Sequence, residues 1–198
     1  MSSLSPHLFW ITSRAAGISA MVFASISVGL GLSMAAKLGK GRLSDRRTLH
    51  EALSIGVMIS IVVHAVSLLF DAYLHPSVAD ITIPLVSSYH TIWMTIGIVS
   101  GWGMIAFGLA YYARRRIGPK RWKVVHRFTL LTWLGGLIHT LGMGTDAGAP
   151  WFLALVALSV APSLVLLGLR VAPALQDRTV PRPAAPRARP RPRPTTVP

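Results

Sequence analysis

The chain has 198 residues, of which 52% are hydrophobic and only 13% charged, with a mean hydropathy of +0.54. A soluble domain carries about 25% charged residues, so this deficit excludes an ordinary soluble domain and implies an all-α integral membrane protein. Cysteine is absent, which excludes disulfides, zinc–thiolate sites, iron–sulfur clusters and thioether-linked haem, and the net charge of +14 is confined mainly to two loops and a tail, where it speaks of topology and not of nucleic acid.

The apolar run from Leu8 to Ala36 is too long for the core of a signal peptide and predicts a first membrane helix, A. It is rich in Gly, Ala and Ser, which let helices approach closely in lipid, and it holds one charge, Arg14. A basic loop follows (Lys37, Lys40, Arg42, Arg46, Arg47, against Asp45), then helix B from Thr48 to Tyr73 with His50 and His64. The loop from His75 to Ser88 has no Lys or Arg, and Pro76 and Pro84 break helix there. Helix C is expected over Tyr89–Ala113, with glycines 97, 101, 103 and 108 marking close packing. A second basic loop, punctuated by Gly118-Pro119, leads into helix D, Trp122–Met143, which carries His126 and His139. After a loop without basic residues, helix E spans Trp151–Val171, with Pro162 expected to kink it.

The expected architecture is therefore a bundle of five transmembrane helices over residues 8–171, followed by a tail over 172–198. The tail alternates Arg and Pro and buries too little apolar surface to fold, so it is expected to be disordered and to lie near anionic lipid. Of the 20 Lys and Arg residues, five lie between helices A and B, seven between Arg114 and Arg127, and seven from Arg170 onward, leaving only Arg14. The bias of basic residues toward the cytoplasm then puts both basic loops and the C-terminus inside and the N-terminus outside, in the plasma (inner) membrane of the cell.

Intramembrane histidines are costly unless their polar atoms are engaged, and four of them on two helices form a candidate functional site. Helices B and D are separated by one helix and so run parallel. That puts His50 and His126 near the cytoplasmic face and His64 and His139 near the outer face. The rise between the two histidines is about 21 Å on helix B and about 20 Å on helix D, at ~1.5 Å per residue, within a hydrocarbon core of about 30 Å. Fourteen residues return to within about 40° of the starting face, whereas thirteen miss by about 140°. Helix D must tighten or bend between its histidines, and Gly135-Gly136 is the expected place. Two levels of paired imidazoles, too far apart to share an ion and with too few ligands per level for zinc, suit two haems stacked across the membrane.

His-x13-His on one helix and His-x12-His two helices later resembles the ferric reductase-like transmembrane family. That family includes the membrane cores of NADPH oxidases and ferric reductases and the small bacterial haem subunits of the YedZ/MsrQ type. The likeness covers residues 8–171 and includes Arg14-Ala-Ala-Gly17 and the Trp122-Lys-Val-Val-His126-Arg127 segment. It implies that His50 and His126 ligate an inner haem b and His64 and His139 an outer one. The implied function is electron transfer from a cytoplasmic-side donor to ferric iron, oxygen or a redox protein outside. With both axial positions filled by imidazole, outer-sphere transfer is favoured over chemistry at the metal. Family members that act as complete enzymes carry a flavin and nicotinamide domain after the last helix; here an Arg/Pro tail follows and no Gly-rich nucleotide motif is found, so the donor is expected to be a separate flavoprotein or a quinol. The small bacterial subunits often have a sixth helix, which is not found here.

Two other readings compete: a quinol-linked cytochrome b subunit feeding a partner reductase, and a haem-free scaffold whose histidines only pack. Arg14 either pairs with a haem propionate or the acceptor site, or reaches to the outer interface. His7, His75 and His90 are expected near the outer surface, and His90 is the first substitute ligand should helix D prove straight. The tryptophans are expected as interface anchors and core packers.

Overall fold

The computed structural model of the protein describes residues 5–38 and 42–179, and all the regular structure among them is helical. In chain order the helices are α1 (Ser5–Ala35), α2 (Leu43–Leu69), α3 (Val78–Thr82), α4 (Thr91–Leu109), α5 (Arg114–Ile117), α6 (Pro119–Arg127), α7 (Thr129–Met143) and α8 (Pro150–Thr179). Four stretches are long and apolar enough to cross a membrane: His7–Ala35, Leu43–Leu69, Thr91–Leu109 and Pro150–Ala172. They coincide with predicted helices A, B, C and E. Large apolar side chains stand outward along them, as at Ile59, Val62, Val99, Leu158 and Val165.

The predicted helix D is not one element. It is divided at Phe128 into α6 and α7, neither of which reaches membrane-spanning length alone. The cause is a local tightening: Phe128 N–H donates to the Val125 carbonyl and Leu131 N–H to the Phe128 carbonyl, both i→i−3 bonds of 3.0 Å. A 3₁₀ turn advances about 120° per residue against about 100° in an α-helix, so it moves the histidine phase in the direction required. No break falls at Gly135-Gly136, the expected place: both lie inside α7, with Gly135 packed against the Ser100 hydroxyl. Helix E also ends later than expected. α8 runs unbroken through Pro162 and continues past Val171 to Thr179, so the expected disorder does not hold over 172–179. Residues 180–198, the rest of the predicted tail, lie outside the described residues.

α1 is the hub, packing on α2, α7 and α8, while α4 packs on α7 and more lightly on α2. Ala24, Val28 and Leu32 of α1 meet Val57, Trp133 and Val160 in the core. Close approach follows from small residues, as expected in lipid. A side chain at Gly97, Gly103, Gly135 or Gly142 would run into the α4–α7 interface, and one at Gly29 into Ser163 of α8. Two buried polar contacts tie α1 to its neighbours: Trp133 Nε1–H donates to Ser25 Oγ at 3.1 Å, and Ser163 Oγ donates to the Ser25 carbonyl at 2.6 Å. One neighbouring pair stays apart. Among the described residues no Cα of α2 comes within 8 Å of a Cα of α6 or α7, although these helices carry the four histidines expected to pair.

Candidate functional site

α1 holds the two histidines of α2 with one motif used twice. Ser13 and Ser27 are fourteen residues apart, as are His50 and His64, and the helices run antiparallel. His64 Nδ1–H donates to the Ser13 carbonyl at 2.8 Å, and the Ser13 hydroxyl lies 3.0 Å from the same nitrogen and 3.2 Å from the His64 carbonyl. His50 Nδ1–H donates to the Ser27 carbonyl at 3.0 Å, with the Ser27 hydroxyl 2.9 Å from that nitrogen. Four residues beyond each serine a glycine makes room for the ring. A Cβ at Gly17 would stand 3.1 Å from His64 Nδ1, and one at Gly31 would stand 3.3 Å from His50 Cε1. A hydrogen bond from Nδ1–H to a carbonyl fixes the tautomer and leaves Nε2 with a free lone pair, which is the state a metal ligand needs.

His139 of α7 is held the same way by α4. Its Nδ1–H donates to the Trp93 carbonyl at 2.9 Å, and Gly97, four residues on, faces its ring so closely that a Cβ there would overlap it. His126 differs. Among the described residues its buried Nδ1 has no partner, and the group against its ring is Trp122 of the same helix, stacked at 5.1 Å and 22°. Trp122 continues the aromatic contact outward to Tyr111 at 6.0 Å, over which Arg114 lies.

The predicted pairs are brought together. The rings of His50 and His126 have centroids 6.2 Å apart and planes at 87°. His64 and His139 line one cavity of about 780 Å³, shared with Met21, Ile98, Trp133 and Gly136. That volume lies within the range of about 300–1,000 Å³ usual for small-molecule sites. The cavity reaches the loops after α2 and α7, where it is lined by Tyr73, Asp80, Tyr89 and Asp146. Among the described residues no three His, Asp or Glu side chains gather as a metal-binding group, so each level offers two imidazoles and no more.

Arg14 lies on the cavity wall beside Ser13, engaged by the Asp146 carboxylate and by the face of Trp10, 4.1 Å from its ring centroid. His90 does not line the cavity. It precedes α4 in a left-handed conformation (φ 43°) and meets the Tyr89 ring edge to face. The positioning groups were not anticipated from the sequence: Ser13, Ser27 and Gly31 on α1, the Trp93 carbonyl and Gly97 on α4. The signal available for α1 was the repeat of Ser-x3-Gly at a spacing of fourteen, equal to the spacing of the histidines on helix B. No protein-family model, curated protein or solved structure matches the chain.

Proposed function

We propose that the chain is a transmembrane electron-transfer protein holding two b-type haems, one between His50 and His126 at the cytoplasmic level and one between His64 and His139 at the outer level. The observation that carries this reading is the fixing of Nδ1 in three of the four imidazoles by backbone carbonyls. Packing alone has no need to select the tautomer that exposes Nε2 three times over; axial ligation does. Two imidazoles per level suit a group that fills the remaining coordination positions itself, as a porphyrin does. The 6.2 Å between the His50 and His126 ring centroids accommodates one metal: two metal–nitrogen bonds of about 2 Å, with roughly 1 Å from each nitrogen to its ring centre. The Cα atoms of α2 stay more than 8 Å from those of α6 and α7, as a group held between these helices would require.

Haem supplies one-electron iron chemistry at each level; the chain supplies spacing, burial and tautomer control. In this reading α6 and α7 together make the fifth crossing, with the N-terminus outside and the C-terminus in the cytoplasm of an inner-membrane protein. A separate flavoprotein or quinol delivers electrons at the basic cytoplasmic side. Ferric iron, oxygen or a redox protein takes them at the outer mouth, where Arg14, beside Asp146 on the cavity wall, is the cation available to a propionate or the acceptor. The test is a reduced-minus-oxidised spectrum of protein purified from haem-replete cells, with a haem-to-protein ratio. An α-band and a ratio near two are expected. No α-band would leave a scaffold whose histidines pack, and a ratio near one would limit the site to a single pair.

A further inference from the structure

We infer that the two levels differ in kind: the inner one is a ligand-exchange site, where His126 gives way to a small neutral π-acceptor such as carbon monoxide, while the outer one stays closed. This rests on the two-haem reading above and goes beyond it, since four equivalent ligands would close both sites.

The difference lies in what holds each imidazole. His50, His64 and His139 each have Nδ1 tied to a carbonyl on a neighbouring helix, at 3.0, 2.8 and 2.9 Å, and each lies against a glycine of that helix. Should such a ring leave the metal, it stays in place and rebinds. The tie also raises the donor strength of Nε2. His126 has neither support: among the described residues its buried Nδ1 finds no acceptor and no glycine receives its ring. Its aromatic neighbour on its own helix, Trp122, moves with it and carries a buried Nε1–H that is also without a partner.

The helix under His126 gives a second, independent reason. α6 has nine residues and is divided from α7 by the tight turn at Phe128. α6 meets α4 only lightly, whereas α7 is packed on α4 through its glycine contacts. The other three ligands stand on helices of 27 and 15 residues, α2 packed mainly on α1 and α7 mainly on α4. In the exchange the bond between ferrous iron and His126 Nε2 breaks and its electron pair returns to the imidazole. The lone pair on the carbon of carbon monoxide fills the vacated position, and the iron remains ferrous. His50, pinned by Ser27, keeps the opposite position.

The experiment is a carbon monoxide titration of the full chain in lipid nanodiscs, loaded with both haems and reduced with dithionite, followed in the Soret band. One carbon monoxide per two haems is expected. With two haems present, a stoichiometry of zero or two overturns the inference while leaving the electron-transfer reading standing; a chain that binds no haem overturns both. The His126→Ala variant assigns the site. If it keeps two haems it should still bind one carbon monoxide, more tightly than before; if it keeps only the outer haem it should bind none. Two ligands on two haems, or one ligand on a single remaining haem, would mean that the outer site is the open one and would overturn the inference.

Discussion

At the scale of single residues, the glycines opposite the histidines are the sharpest probes, because each differs from an ordinary packing glycine in what it faces. Gly97→Ala puts a methyl group into the space of the His139 ring. Either the ring shifts off its bond to the Trp93 carbonyl or α4 and α7 part. The expected outcome is loss of the outer haem alone, read as a haem-to-protein ratio falling from two toward one with the inner spectrum retained. Gly136→Ala is the matched control: it lies on the same helix, lines the same cavity and has nothing within 4 Å of its added carbon. It should keep both haems and stabilise α7 by about 0.5–1 kcal/mol, since glycine is the poorer residue inside a helix. A haem loss of equal size in both variants would show that cavity volume, and not the notch beside His139, is what matters. The histidines themselves were legible in the sequence because polar side chains stand out in apolar runs. The carbonyls that orient them were not, because a backbone acceptor has no residue signature.

At the scale of elements, α3 is held by a device that responds to pH. The Ser77 hydroxyl accepts from Asp80 N–H at 3.2 Å, and the Asp80 carboxylate accepts from Ser77 N–H at 2.8 Å, closing a capping box around a helix of five residues. Hydrogen bonds from the Ser77 hydroxyl and then from its backbone N–H hold the Asp80 carboxyl below the usual carboxylate range. A carboxyl lowered on folding contributes stability that is present above its ordinary range and is lost as pH falls through the lowered value. The protection of the Ala79–Thr82 amides, taken relative to their intrinsic exchange rates, should therefore fall in acid, and Asp80→Asn should show low protection at every pH; wild-type protection that does not change with pH would exclude the box as the cause. The same scale shows where pattern reading stops. Apolar length located α1, α2, α4 and α8, since each is a continuous greasy run. It could not divide α6 from α7, because the break at Phe128 arises from two i→i−3 bonds in a stretch without Gly or Pro. The thirteen-residue spacing did show that something between His126 and His139 had to depart from an ideal helix. It could not say that the departure would be a turn next to His126 and not a bend at the paired glycines.

At the scale of the whole molecule, the absence of cysteine makes the topology directly measurable. Thr145 and Arg116 are exposed and flank α6 and α7. Thr145→Cys should react with a membrane-impermeant maleimide in intact cells, and Arg116→Cys only after permeabilisation. Labelling of both from outside would mean that α6 and α7 do not cross, and the reverse pattern would invert the orientation. The paired contacts between α1 and α2 bear on how such a body meets its surroundings. Two dowels about 21 Å apart, at ~1.5 Å of rise per residue, join these helices at Ser13–His64 and Ser27–His50. A single dowel permits rotation, and a slip of one helical turn along either axis would unseat both at once. The pair therefore cannot shear. In a bilayer thinner or thicker than its apolar length, α1 and α2 should tilt as one rigid plank. The spacing between the two histidine levels would then be a property of the protein and not of the lipid in which it sits.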